Sequence, residues 1–497
     1  MIDLKTIFSG FKRKDNIQAP QVVLPPQTEF SNNSQVEKPE LEFQKDNEEK
    51  IEFDRQIPEL YSYSGSPAEE YYNLAKQEYD KGNYEAALYD FIFIGLNLDI
   101  RYRPLYALAI DCFEMMEWFE LDLLFKSLLA DSSNPKRYFD IGVKFLEMKI
   151  PFVSIIFLEY LYKFAPMDFA ILVELSVAYC NNLQPEKARE ILAKTPKLKE
   201  EFWLEYQYLW SGLLLGNDQG VEDFIRTARY ALQNDNNAKE EISELNKMEE
   251  VYNRLKTFRG YSPVDHIRDW QFIQYGSVVL EYNGYIGERQ SYTLSGRYND
   301  YWMSKEDFVV VVGKLVQFTT FMGVKFNAVV STGSKDSQII ARTLALAYGV
   351  DFWMITEDIL DQPGLLIVSA DSLELQTWSE KLFQVKNNQV VFCLNHFWTK
   401  PTGITADIIG VMTKFCGLPW DKRIQTNPMA GQNRTALPDN RAPIEIAQDI
   451  LQTTTEKSPY FDDMFDFYQN KKDYLKFRDI RYPIRLPFVL DSKLQIK

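Results

Sequence analysis

The sequence predicts a multidomain α plus α/β protein, an α-solenoid followed by a mainly parallel α/β sheet domain. Three observations carry that expectation. Matching marks recur about every 34 residues through the middle of the chain, and beyond residue 259 short apolar runs alternate with helical patterns. Most of the first 66 residues show neither pattern.

From Leu74-Ala75 a step of 34 residues reaches Leu108-Ala109. Ile141-Gly142 comes one residue early, and two further steps of 34 land on Leu175-Ser176 and Leu209-Trp210. Tyr84 maps onto Trp118, Phe91 onto Phe125, and Ala87 onto Ala188, with Gly82-Asn83 and Gln184-Pro185 as turns. Pro166 and Pro196 close the third and fourth units. A small residue on one helix lets its neighbour approach, while Ala plus an aromatic on the next fills the gap between units. This is the pattern of stacked helix pairs.

Tyr72-Asn73-Leu74-Ala75 through Gly82-Asn83-Tyr84-Glu85-Ala86-Ala87-Leu88 resembles a tetratricopeptide repeat, as does Leu175 to Tyr179 with Pro185 to Arg189. The resemblance covers residues 67–232 in about five units, weakens in the second, third and fifth, and departs most at Ile150-Pro151-Phe152. It implies a right-handed superhelix whose concave groove holds a peptide or another protein. The alternative use of such an array is to pack against its own C-terminal domain.

Composition narrows the classes. At 497 residues the chain is too long for one core. A formal charge of −16 opposes nonspecific binding to nucleic acid or anionic membranes, so no nucleic-acid partner is expected. Cys112, Cys180, Cys393 and Cys416 lack metal or disulfide spacing, which points to reduced thiols in a cytoplasmic protein. With only His266 and His396, a histidine-rich metal centre is not expected, and no metal or cofactor is assigned. No secretory signal is expected from the N-terminal residues, and the longest apolar run, Phe308 to Val324, is interrupted by Lys314 and Gln317, so no transmembrane segment is expected.

The N-terminal part divides in two. In residues 1–14, Ile2, Leu4, Ile7, Phe8 and Phe11 share a helical face ahead of Lys12-Arg13-Lys14. That segment suits docking on a protein, a weak membrane contact, or nothing beyond a frayed start. Residues 15–66, rich in Gln, Asn, Glu, Pro and Ser, are expected to be a disordered linker. After the array, residues 233–258 form a capping or linker helix with Ile242, Leu245, Met248, Val251 and Leu255 on one face, and Arg259 to Pro263 marks a boundary.

Residues 259–497 follow a different grammar. Ser277 to Tyr282 and Arg289 to Leu294 read as strands flanking Asn283-Gly284 and Gly287. A helix at about 305–322 precedes strands at Ala328–Ser331, Phe352–Ile355, Leu365–Val368 and Val390–Leu394. Helices are expected at about 337–348 and 372–384 between them. Short apolar strands without alternation are buried on both faces, as in a parallel sheet. Residues 425–443 read as a long loop, and Arg481 to Pro487 as an extended segment.

One loop is a candidate for ligand binding: Ser331, Thr332, Gly333, Ser334, Lys335, Asp336 and Ser337 join a buried strand to a helix. Amides at such a helix start favour an anion, and Ser, Thr and Lys add donors. The order helix, strand, loop, helix through Ile339 to Val350, strand, strand resembles a type I phosphoribosyltransferase, whose loop at this place holds pyrophosphate. That family next requires a strand ending in two acidic residues and a Thr-Gly-rich phosphate loop. Here Leu365 to Val368 runs into Ser369-Ala370-Asp371-Ser372-Leu373-Glu374. The acidic pair and the glycine are missing, so the resemblance is to a degenerate member. Thr332-Gly333-Ser334-Lys335-Asp336-Ser337 also resembles the Ser-Gly-Gly-x-Asp-Ser loop of PP-loop ATP pyrophosphatases, keeping the Gly, Asp and final Ser. A third reading is a helix cap by Ser334 or Asp336.

His396 stands near Asn395, Trp398 and Lys400, where a lone histidine among aromatics reads as structural. No catalytic constellation is assigned. The functional expectation is a cytosolic adaptor or scaffold making protein–protein interactions through the array, with a non-catalytic phosphoribosyltransferase-like domain. The alternative is a phosphate-substrate or nucleotide-dependent enzyme using the 331–337 loop.

Overall fold

The computed structural model describes residues 57–280, 300–397, 403–421, 424–426, 433–435, 439–454 and 463–475, apart from single positions 149, 183, 197, 234, 236, 263, 265, 266 and 387. The 1–14 segment, most of the 15–66 linker, His266, the strand expected at 289–294, residues 427–432 and 436–438 of the 425–443 loop, and residues 481–487 lie outside the described residues.

Helices follow one another from Glu69 to Leu232. They are α1 (Glu69–Asp80), α2 (Tyr84–Ala86, running through a π-helical Ala87–Ile92 into Phe93–Leu98), α3 (Arg103–Met115), α4 (Phe119–Ala130) and α5 (Pro135–Glu147). Next come α6 (Pro151–Tyr162), α7 (Phe169–Asn181), α8 (Pro185–Ala193), α9 (Phe202–Leu214) and α10 (Val221–Leu232). Local chemistry sets their starts. Asn134 and Asp168 cap α5 and α7 by accepting from the Lys136 and Ile171 amides, and Pro135, Pro151 and Pro185 occupy first positions where no amide is needed.

The small residues of the repeat lie at close approaches. Ala75, Ala109 and Ser176 are fully buried, and a Cβ added at Gly142 would stand 2.9 Å from Leu158. The front of the array closes on aromatic rings. Phe125 meets Phe113 with ring centroids 4.9 Å apart, and Phe93 meets Phe145 at 5.4 Å, which ties α2, α3, α4 and α5 into one core. A second core joins Leu158 of α6 to Leu175, Leu192, Leu204 and Leu214.

The third core does not respect the expected boundary at residue 259. It begins with Tyr206, Leu209 and Leu213 of α9 and includes Val251, Leu255 and Phe258 of α11 (Lys239–Arg259). It then continues through α12 (Ile267–Tyr275) into the sheet domain. Arg254, only 2% exposed, bridges the two parts: Nε donates to the Ile273 carbonyl at 2.8 Å and Nη2 to that of Gln274 at 3.0 Å. A guanidinium placed on the last carbonyls of α12 satisfies groups the helix leaves open and complements its dipole.

The sheet strands are β1 (Val278–Val279), β3 (Ala328–Ser331), β4 (Asp351–Met354), β5 (Leu365–Asp371), β6 (Val390–Phe397) and β7 (Ile408–Thr413), after a short outlying β2 (Asp300–Trp302). Their spatial order is β1-β7-β6-β5-β3-β4, and every neighbouring pair is parallel. Both faces are covered. Val329 packs into the core shared with α13 (Lys305–Phe321), α14 (Lys335–Tyr348) and α18 (Pro443–Leu451), while Ala328 and Val330 face the core under α15 (Glu357–Leu360), α16 (Glu374–Thr377) and α17 (Ser379–Leu382). The result is a three-layer α/β domain.

Several expectations are adjusted by the structure. The helix expected at 372–384 is two short helices, because Trp378 between them leaves helical geometry. β1 is a two-residue edge strand parallel to β7. β7 was not anticipated and lies between β1 and β6 in the sheet, and β8 (Phe415–Gly417) pairs with β2. The antiparallel β9 (Ile424–Thr426) and β10 (Asn433–Thr435), and the helices α18 and α19 (Asp463–Asn470), were likewise unforeseen. The apolar run at 308–324 is the buried helix α13, and no described helix is long and apolar enough to cross a membrane.

Candidate functional site

From β3 the chain passes through α14 to β4 on one side, then crosses back through α15 to β5 on the other side of β3. Loops leaving the carboxyl ends of β3 and β5 therefore part in opposite directions, which is where open α/β sheets form their ligand crevice. The 331–337 loop leaves β3 there, and Asp371 to Glu374 leave β5 beside it.

The crevice contains a carboxylate of the chain itself. Thr332 Oγ1 donates to Glu374 Oε2 at 2.7 Å, the Ser337 hydroxyl donates to the same oxygen, and Ser369 Oγ lies 3.3 Å and the Ala370 amide 3.4 Å from it. Burial pushes the Glu374 carboxyl up, but hydrogen bonds from Ser334, Ser337, Thr332 and the Ala370 amide outweigh it and hold the group below its ordinary value. Glu374 is placed by an Asx turn: Asp371 Oδ1 accepts from the Leu373 and Glu374 amides at 2.8 and 3.1 Å.

The remaining loop residues are also engaged. Ser334 caps α14, its Oγ accepting from the Ser337 amide at 3.0 Å. Ser331 is buried and its Oγ accepts from the Gly333 amide. Gly333 has φ +133°, a conformation that side-chain-bearing residues rarely adopt. Lys335 Nζ donates to the Asp439 carbonyl at 2.5 Å. Burial raises the Asp336 carboxyl, while the Trp420 indole, donating at 2.6 Å, pulls it back. The loop is thus brought together at one end of the sheet, with its hydroxyls and its lysine turned to internal partners.

His396 is fully buried on β6, and that burial drives its pKa down to about 3, so it is a neutral imidazole. Its neighbour Asn395 accepts from Thr413 Oγ1 at 2.7 Å. Trp398 and Lys400 lie outside the described residues. Cys112, Cys180 and Cys393 are buried free thiols, and burial raises all three. Among the described residues no group of His, Cys, Asp and Glu has the makings of a metal site.

A second recess lies where the array meets the sheet domain. Val177, Cys180 and Asn181 of α7, Tyr206, Gln207, Trp210 and Leu214 of α9, Glu244 and Lys247 of α11, and Gln274 and Tyr275 of α12 enclose a pocket of 210 Å³. Trp210 occupies the phase at which the earlier units carry Ala75, Ala109, Gly142 and Ser176. The fifth unit thus has a large ring in place of a small residue at the pocket wall. Gln274 is 4% exposed, and its Nε2 has no hydrogen-bond partner among the described residues.

Compared with known proteins, the chain matches no family model and no curated protein sequence. Sequence reasoning found the 331–337 loop but not Glu374, whose approach depends on strand order. It missed the pocket as well, although the out-of-pattern Trp210 was a visible signal.

Proposed function

We propose that the protein is a cytosolic adaptor or regulator. Its array, read as tetratricopeptide-like, binds a protein partner, and its α/β domain, read as phosphoribosyltransferase-like, is non-catalytic. The observation that supports this reading is Glu374: the hydroxyls and amide that would meet a substrate phosphate already hold a carboxylate. A phosphate would have to displace that charge and repel what remained of it. The repeat reading draws on the buried Ala75, Ala87 and Ala188 at the expected packing positions.

The test uses the full chain as bait in an affinity pull-down, compared with a Trp210→Ala variant. Wild type recovers a specific partner and the variant loses it; recovery of no specific partner by wild type sinks the adaptor reading. The enzyme alternative is favoured by the place of the 331–337 loop at the switch point. It requires pyrophosphate, phosphoribosyl pyrophosphate or ATP to raise the melting temperature of the wild-type protein.

A further inference from the structure

Among the described residues, the sheet ends on a strand with one side open. β4 is the last in the order β1-β7-β6-β5-β3-β4, and no described strand pairs with its outer side. It reads Asp351-Phe352-Trp353-Met354, without the lysine or proline by which edge strands discourage pairing. Phe352 and Trp353 are half-buried and Met354 is 39% exposed, whereas the neighbouring β3 is buried throughout. Beside the strand runs a groove of 630 Å³, formed by Phe352, Trp353 and Met354 with Thr356, Ile359 and Gln362. Arg342 stacks on the Phe352 ring at 3.9 Å and holds it in place.

The register of β4 on β3 fixes which backbone groups stay open. Ser331 pairs with Met354, and the Ile355 amide donates to the Ser331 carbonyl at 3.0 Å, so Trp353 and Ile355 turn their N–H and C=O groups inward. Directions alternate along a strand, so Phe352 and Met354 turn theirs outward. The open groups therefore stand symmetrically about Trp353. An antiparallel strand of the same sequence, centred on the same residue, matches them completely. Phe352 of each copy exchanges both backbone hydrogen bonds with Met354 of the other. Trp353 then faces Trp353 of the second copy in a non-hydrogen-bonded pair, where side chains come closest, and each Phe352 ring meets a methionine sulfur.

Charge favours the same occupant. In a chain of formal charge −16, the edge carries only Asp351, at its end, and the groove only Asp358. Pairing centred on Trp353 sets Asp351 against Ile355 of the second copy and keeps the two aspartates at opposite ends of the joint. An added strand needs apolar side chains on both faces and no charge at its middle, which β4 itself supplies.

We infer that two copies of this chain join through their β4 edges, so that one sheet runs through both molecules. The joint goes beyond the adaptor reading and does not depend on what the array binds. A strand of 4 residues from each copy buries less than the roughly 1,200–2,000 Å² of stable interfaces, and the like net charges repel. The dimer is therefore weak and is tightened by salt.

Sedimentation velocity of the full chain across the micromolar range reads the association directly. Wild type passes from monomer to dimer as concentration rises, and does so at lower concentration in high salt. Met354→Lys places a charge on the exposed part of the edge, and Met354→Pro removes an outward N–H that β3 does not use. Each weakens the dimer at least about tenfold, and Met354→Lys keeps a melting temperature near that of wild type, which shows an intact fold. Trp353→Cys forms an interchain disulfide under mild oxidation, and adding Met354→Lys abolishes it. Monomers at every concentration and salt, a dimer indifferent to both Met354 variants, or a crosslink that Met354→Lys leaves unchanged overturns the inference. A monomeric wild type that captures another protein through a contact sensitive to Met354→Lys gives the edge to a foreign strand and likewise overturns it.

Discussion

In the switch-point crevice, Thr332, Ser337, Ser369 and the Ala370 amide converge on the Glu374 carboxylate; in the array pocket, Gln274 has a buried amide nitrogen with no partner. Both recesses are lined in part by neutral polar groups. Their difference lies in whether the polar groups are already satisfied. A concave shape with donors offers little to a ligand when the chain supplies the acceptor, whereas a buried donor left unpaired is a cost to the fold.

The strongest way to break this contrast is to loosen the joint between the array and the sheet domain. Arg254→Ala leaves two helix-end carbonyls and Glu250 without their buried cation. It should cost about 3–5 kcal/mol, measured by chemical denaturation, and array and sheet signals should unfold in one transition. Separate transitions would mean that the two recesses belong to independently folding parts.

A pH series tests the closed side. His396 has a folded pKa of about 3 against an ordinary 6.5. The unfolded chain therefore binds the extra proton between those values. Stability from this group is complete above pH 6.5 and falls as pH drops towards 3, by up to about 1.4 kcal/mol per unit. His396→Phe should remove that part of the slope. An unchanged slope would show that the imidazole is charged or solvated in the native state.

Glu374→Ala and Gln274→Leu set the recesses directly against each other. The first strands buried hydroxyls and should destabilise by about 1–3 kcal/mol in thermal or urea unfolding. In that variant, but not in wild type, millimolar pyrophosphate should raise the melting temperature. The second removes an unsatisfied amide at nearly constant volume. Its stability should be unchanged or raised by up to about 1 kcal/mol, and a clear loss would reveal an internal partner for Gln274.

Much of this arrangement could be read from residues alone, and the reasons for the gaps are physical. The apolar runs at Ala328, Leu365 and Val390 gave buried strands because a sheet covered on both faces needs no alternation. Ile408–Thr413 has the same character, but Gly410 reads as a breaker. In the structure it is required, since a Cβ there would stand 2.6 Å from the Leu394 carbonyl oxygen. Periodicity located the array and its small residues, while the deviation at Trp210 gained meaning only when α12 was seen to close the space beside it. Glu374 could be noticed as a departure from a phosphate loop, but its seat on Thr332 depends on β5 lying beside β3.

The continuous core from α9 through α11 and α12 into the sheet has a mechanical consequence. Leu204 and Leu214 of α9 belong to the array's middle core, while Leu209 and Leu213 of the same helix belong to the sheet's. One rigid rod is gripped at once by both neighbours, so a load applied to the repeats passes into the sheet without a swivel. A gene fusion that cuts after residue 259 would divide a single packed body.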